Sequence, residues 1–428
     1  MSAAASTVQP AVTSGLRRAL GSSVPILTVA YGINALSNFL LTVIVGRFLG
    51  AAVLGTFALG TSVTRIFYAS TELGVAPHLT RAVSRDRAAS SALISLFVSL
   101  RLAMIPVAVA VAALAGILLG HGGVAAFCLI AMAQGSISLQ AIYESVALAH
   151  ERPALAGFMN LFGSLCVVIG CAVWFVLGAS LLGFVALYAG SLGAAVASCL
   201  YWTSTRLHVR VRWRLSITEL RRELAKSWPI GLSFLLGIAA LRAPVLVLGA
   251  FGSTADVGAF AAVDTFVTAA AILQAAATNA SFPRLASSYR ARPADFRALF
   301  WRSNVALAGI GLAIGVFLVV FGTSVIGFVF PGKDFARMTA LIPIVGWSTP
   351  VLLLVHHNIL VFAAADSERR NVRFMVTWLI LIAGSQLALV PHHGLIGAGW
   401  ALLIGRALGL GALAVALAAA RVHRGGDA

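Results

Sequence analysis

Residues 303–330 read SNVALAGIGLAIGVFLVVFGTSVIGFVF. No charged side chain interrupts this run, and crossing the hydrocarbon core of a bilayer takes roughly 20 mostly apolar residues. The stretch therefore reads as a transmembrane helix. Comparable runs occupy 24–46, 53–76, 90–119, 123–148, 154–177, 180–202, 229–250, 257–281, 338–363, 372–390 and 395–420, which with the first makes twelve. Of the 428 residues, 60% are hydrophobic and 10% charged, where soluble domains average about 45–50% and about 25%. A soluble enzyme, a disordered chain and a disulfide-stapled secreted module are excluded on composition. The fold class that remains is an all-α polytopic membrane protein of about 12 transmembrane helices. The run 24–46 exceeds a signal-peptide core, so it is expected to persist as the first span.

The net charge of +17 invites a nucleic-acid reading, but the basic residues sit in short gaps between apolar runs instead of on one patch. With an even number of spans both termini lie on one side. Twenty-three of the 30 Lys and Arg fall on that side, three (Arg47, Lys333, Arg337) fall opposite, and four (Arg65, Arg101, Arg242, Arg406) lie within spans. The positive-inside rule then places both termini in the cytoplasm. The longest polar segment, 203–228, holds seven of these basic residues and separates two sets of six spans. Expected boundaries are a cytoplasmic N-terminal segment at 1–23, an N-lobe at 24–202, the basic linker at 203–228, a C-lobe at 229–420 and a tail at 421–428. Ser216-Ile-Thr-Glu219 in the linker has the form of a helix-opening capping box. Linker and interfacial residues are expected to contact membrane lipids, and no nucleic-acid partner is implied.

The two sets resemble each other. Laid without gaps, 46–58 (GRFLGAAVLGTFA) and 249–261 (GAFGSTADVGAFA) agree at Gly46/Gly249, Phe48/Phe251, Ala52/Ala255, Gly55/Gly258, Phe57/Phe260 and Ala58/Ala261. A parallel repeat of this kind belongs to transporters whose two bundles face each other across a central cavity. Two pseudo-symmetric six-helix lobes around such a cavity are the expected architecture.

Cys128, Cys166, Cys171 and Cys199 all fall in apolar runs without metal-site spacing, and His356-His357 and His392-His393 lack an acidic or thiol ligand set, so no metal site is expected. The costly residues are the in-span ionisable ones, since an Arg at mid-span costs about 2.5–3.5 kcal/mol on insertion scales. Arg65, Arg101 and Arg406 lie near span centres and Arg242 nearer one end. The in-span acids are Glu72, Glu144 and Asp264. Arg65 and Glu72 share a helix face. Ser136, Gln140 and Glu144 form a polar stripe, as do Tyr31, Asn34 and Asn38, while Asp264 and Thr268 begin a third. Such stripes fit a bundle enclosing hydrated space. Pro106, Pro244, Pro343 and Pro350 interrupt spans, as hinges or as fixed kinks.

Several motifs resemble the polysaccharide-transport branch of the multidrug/oligosaccharidyl-lipid/polysaccharide exporter superfamily, and within it the Wzx-type O-antigen and exopolysaccharide flippases. They are Gly46-Arg-Phe-Leu-Gly50 with Gly55-Thr-Phe57, Glu72-Leu-Gly74, Val257-Gly258-Ala-Phe260, Phe282-Pro283-Arg284, Phe330-Pro-Gly332-Lys-Asp-Phe335 and Gly394-Leu-Ile-Gly-Ala-Gly-Trp400-Ala. The resemblance implies inner-membrane transport of an undecaprenyl-diphosphate oligosaccharide for surface polysaccharide biosynthesis, beside other polysaccharide-assembly proteins. On that reading Arg65, Arg101, Arg242 and Arg47 hold diphosphate and acidic sugars, because a guanidinium gives bidentate contacts and stays charged; Asn34 and Asn38 complete the substrate site. The bland alternative pairs Arg65 with Glu72 and lets Arg242 snorkel to the interface. Glu144, Asp264 and Glu72 are the candidates for coupling to a proton or sodium gradient, or else for static salt bridges; no bound cofactor is expected. Ala243-Pro244 stand where many relatives carry an acid after the arginine of span seven, so a charge pair there does not carry over. The competing functions are a cation-coupled multidrug antiporter of the same superfamily and a membrane-embedded glycan polymerase or acyltransferase. No catalytic nucleophile–base arrangement is visible, so the chain is not expected to be an enzyme.

Overall fold

The computed structural model describes residues 9–419 apart from 88–89, 120–122, 179, 290, 332–336 and 365–367. The expected tail at 421–428 and Gly332 to Phe335 of the Phe330 motif lie outside the described residues. Thirteen helices account for the architecture: α1 (Gln9–Leu49), α2 (Ala51–Glu72), α3 (Val75–Arg85), α4 (Ser90–Leu118), α5 (Val124–Ala149), α6 (Pro153–Leu177), α7 (Leu181–Arg206), α8 (Ile217–Phe251), α9 (Thr254–Ser288), α10 (Pro293–Val329), α11 (Met338–Trp347), α12 (Thr349–Ala364) and α13 (Glu368–Ala419). Among the described residues nine helices are long and apolar enough to cross a membrane, and the pair α11–α12, bent by 41°, makes a tenth passage. α13 folds back at Gly394, whose φ of 54° and ψ of −131° break the helix, so its two legs match the expected runs 372–390 and 395–420. α9, of 35 residues, is about 50 Å long at 1.5 Å per residue. Each of the twelve apolar runs lies mainly in helix among the described residues, the second broken at Leu73 and Gly74 and the tenth at Ser348.

Each lobe repeats the same packing. α1 lies against α6 as α8 lies against α13, and α4 against α5 as α10 against α11 and α12. Between the lobes α2 packs on α9, while α2 also meets α8 and α9 meets α1. This exchange is what a two-fold axis through the α2–α9 contact produces. The contact itself is glycine against backbone. A Cβ on Gly55 would overlap the Thr254 carbonyl, and one on Gly258 would overlap the Ala51 carbonyl. Residues 51 and 254, like 55 and 258, are matched by the gapless alignment, so the sequence repeat is also the spatial symmetry.

Apolar packing differs between the two ends of the lobe interface. One buried cluster runs through both lobes, joining Val45, Leu54 and Phe127 to Leu248, Phe260 and Val345. Towards the end carrying the 203–228 linker, each lobe has a cluster of its own, around Phe97 and Tyr143 and around Phe296 and Trp378. The linker lies along the N-lobe: the backbone N–H groups of Arg212 and Arg214 donate to Ser95 and Ser99 Oγ at 3.0 and 2.8 Å, and Val209 is buried. The capping box is half realised, with Ser216 Oγ accepting from the Glu219 N–H at 3.4 Å to open α8.

Candidate functional site

A cavity of about 360 Å³ lies between the lobes at mid-depth, walled by α1, α2, α5, α7, α8 and α9. Asn34 and Asn38 reach it from α1, Arg65 from α2, Arg242 from α8, and Asp264 with Thr268 from α9. Four of the six residues expected to bind substrate therefore converge on one space from helices far apart in sequence. Asn38 Nδ2 donates to Asn34 Oδ1 at 3.0 Å, tying two polar rungs of α1 together. Arg65 and Arg242 interact electrostatically, as do Arg242 and Asp264. Asp264 is also engaged behind the wall: its Oδ1 lies 3.4 Å from Arg406, whose side chain is 3% exposed. Arg406 donates with its other amino group to Ser348 Oγ at 2.6 Å, at the junction of α11 and α12. Among the described residues neither Arg65 nor Arg242 makes an ion pair with a carboxylate. Among the described residues the cavity thus holds two guanidinium groups, and its one acid, Asp264, is shared with a third.

The remaining candidates sit elsewhere. Arg101, 2% exposed, donates to the Tyr68 carbonyl at 3.2 Å and to Thr71 Oγ1 at 2.6 Å. It braces the last turns of α2, one acceptor a carbonyl and the other a hydroxyl that itself donates to that carbonyl, just before Leu73 and Gly74 take left-handed conformations and α3 starts. Glu72 is its electrostatic neighbour, so the pairing of Glu72 foreseen with Arg65 falls to Arg101. Arg47 crosses the lobe interface at the end opposite the linker and donates to the Phe328 and Val329 carbonyls at 3.0 and 3.4 Å. Those are C-terminal carbonyls of α10, a favourable seat for a cation. Glu144 and Gln140 turn into the N-lobe, against Asn160 of α6, rather than onto the cavity wall.

Thr61, Gln134, Tyr188 and Thr265 line the cavity as well and were not singled out in the sequence. Thr61 had a signal, since it precedes Arg65 by one helical turn on the same face. Gln134 lies off the Ser136, Gln140 and Glu144 stripe of its helix, and Tyr188 is a single hydroxyl in an apolar stretch, so neither was marked out. Of the histidines, His357 Nε2 lies 2.8 Å from Ser303 Oγ and His356 meets the Trp378 ring edge-on at 6.0 Å. Pro343 lies in α11 and Pro350 opens α12 beside the 41° bend.

A second contact closes the linker end. A Cβ on Gly231 of α8 would overlap the Leu73 backbone, and Gly74 lies equally close to Ser227 and Gly231. Beside it His78 Nε2 of α3 meets Glu223 Oε2 of α8 at 2.9 Å, and Glu223 also takes Lys226 at 2.9 Å and Arg222 at 3.2 Å. This contact is polar where the opposite end is apolar.

Two helical lobes related by a two-fold axis, closing on a polar cavity from both ends, give this multi-pass membrane protein the architecture of a two-lobed transporter fold. Among solved structures the chain is similar to the lipid II flippase MurJ in an inward closed conformation, with a TM-score of 0.75 and 11% identity over 92% of this chain and 87% of that one. It is also similar to a multidrug resistance MATE family transporter of the MOP superfamily in an inward-facing conformation, with a TM-score of 0.69 and 14% identity over 93% and 94%. The Vibrio cholerae MATE transporter VcmN in its bent form gives 0.63 and 19% over 96% and 98%. At such identities the likeness is one of fold. No curated protein matches the chain significantly. The sequence profile of the polysaccharide biosynthesis protein family matches residues 20–289, and the chain belongs to that family.

Proposed function

We propose that the protein is a flippase that moves a lipid-linked oligosaccharide, an undecaprenyl-diphosphate glycan, across the bacterial inner membrane for surface polysaccharide assembly. The observation carrying this reading is the pair Arg65 and Arg242, facing one cavity with no ion pair to a carboxylate among the described residues. Two fixed guanidinium groups in a low-dielectric space fit a diphosphate, which accepts bidentate hydrogen bonds and offsets their charge. Asn34, Asn38, Thr61 and Gln134 supply the neutral donors and acceptors that a sugar needs. The linker end faces the cytoplasm, with both termini, in keeping with the distribution of basic residues. The lobes part there to admit the headgroup while the lipid tail stays in the bilayer, and they part at the opposite end to release it.

The MATE-like fold keeps a multidrug antiporter as the second reading. A cationic drug would meet a wall whose single carboxylate is already held by Arg406, so the charge of the cavity favours an anion. The test replaces Arg65 and Arg242 singly by Ala and by Lys and follows surface glycan and lipid-linked precursor. The Ala variants are expected to lose export by at least tenfold and to accumulate precursor, with partial recovery in the Lys variants. Normal export in every well-expressed variant would remove the cationic cavity from the mechanism.

A further inference from the structure

Glu144 of α5 is 9% exposed and makes no ion pair among the described residues. Its Oε1 accepts from Gln140 Nε2 at 2.8 Å and from Asn160 Nδ2 at 3.2 Å. The titratable groups that interact with it electrostatically are Tyr31 of α1 and Cys199 of α7, both neutral in their protonated forms. No charged group on the other helices packed against α5 makes an ion pair with it among the described residues, and Arg81 and Arg85 of α3 and Arg206 of α7 are exposed. On α2, Arg65 faces Tyr188 and Arg242 and Glu72 faces Arg101 of α4; on α3, His78 holds Glu223. Asp264, the other mid-membrane acid, has Arg406. Glu144 alone among the three in-span acids has no guanidinium near it. A buried carboxylate without a cation is costly enough that something must neutralise it.

A second observation says what does. Asn160 is 7% exposed, and while its Nδ2 donates to Glu144 its Oδ1 is buried without a hydrogen-bond partner. An ionised carboxylate only accepts, so it cannot serve that oxygen. A protonated carboxyl can, because acid and primary amide are complementary: the O–H donates to Oδ1 while Nδ2 donates back to the acid carbonyl. Protonation thus removes the buried charge and satisfies the orphaned acceptor together. The helices are built for this approach, since Gly163 leaves room for the Gln140 amide, which a Cβ there would meet at 3.0 Å.

We propose that Glu144 is a proton-binding site of the N-lobe, and that its loading is relayed to the central cavity through α6 and α1. The relay is a chain of contacts. Ser164 Oγ donates to the Asn160 carbonyl at 3.1 Å, and Asn34 Nδ2, on the cavity wall, donates to Ser164 Oγ at 3.2 Å. Loss of the proton loosens the grip of Asn160 and shifts the α6 turn on which Asn34 rests. The relay rests on the flippase reading for its purpose; the proton site does not.

Infrared difference titration of the full-length protein in phospholipid vesicles tests the site without any substrate, so its outcome is independent of the flippase reading. A protonated-carboxyl band is expected that disappears as pH rises and is absent from Glu144→Gln. Asn160→Ala, which keeps the acid and removes its partner, should move that band to higher frequency; this second variant decides the matter if Glu144→Gln does not fold. A spectrum unchanged by Glu144→Gln, or a band that persists at every pH, overturns the proposal. A band that responds to sodium chloride but not to choline chloride at fixed pH makes the site a sodium site and overturns it equally.

Discussion

An arginine within a membrane must find oxygen or water, and the four within the spans of this chain do so in different ways. Arg65 and Arg242 look into the cavity, Arg101 serves the end of α2, and Arg406 is sealed between Asp264 and Ser348. The last pair permits an asymmetric prediction. Asp264→Ala strands a guanidinium that is 3% exposed, whereas Arg406→Leu leaves a carboxylate that is 20% exposed to the cavity and can be hydrated or protonated. Breaking a buried pair from one side costs about 3–5 kcal/mol, so Asp264→Ala is expected near that figure and Arg406→Leu well below it. The double variant should regain part of the loss. Thermal unfolding of the purified proteins in one detergent measures the order, and equal losses in the two single variants would refute the assignment of burial.

At the scale of elements, the α2–α9 crossing is a symmetric device made of two glycines and two carbonyls. Any side chain at position 55 or 258 must push the helices apart, and overpacking of this kind costs roughly 1–3 kcal/mol. Gly55→Val and Gly258→Val are expected to have matching effects, since each removes one half of the same contact. Distances between spin labels on α2 and α9 should lengthen similarly in both, and a change confined to one variant would mean that the axis does not pass through this crossing. The alignment of 46–58 with 249–261 made these positions equivalent in the sequence. It could not reveal that they touch, because equivalence by repeat places two segments in like settings without saying which one each faces.

Over the whole molecule the two ends of the lobe interface are held by unlike forces. A continuous apolar cluster spans the lobes on one side, reinforced by Arg47 on the carbonyls of α10. On the linker side the lobes pack internally and meet through the close backbone approach of Gly231 to Leu73 and through His78 and Glu223. Exchange of a polar contact for water costs little, so the linker end is the one expected to open first. Glu223→Gln should widen the label separation between α3 and α8 while leaving the opposite end unchanged, and Arg47→Ala should do the reverse. If both substitutions widened the same end, the two contacts would not be separate gates.

The sequence by itself determined the class of protein and its plan. Long uncharged runs admit no other solvent than lipid, and a gapless repeat requires two like lobes. The residues Arg65, Arg242, Asn34 and Asn38 were also legible, because ionisable and amide groups in apolar helices are too costly to lack a purpose. What each of them touches was settled only by tertiary structure. Arg65 and Arg101 are alike in sequence, both lone arginines within long apolar runs, yet one opens on the cavity and the other braces the end of α2. Helical periodicity fixes which residues share a face of one helix; which face meets which is set by packing between helices hundreds of residues apart, and that determines whether a buried charge faces space, a carbonyl or an opposite charge.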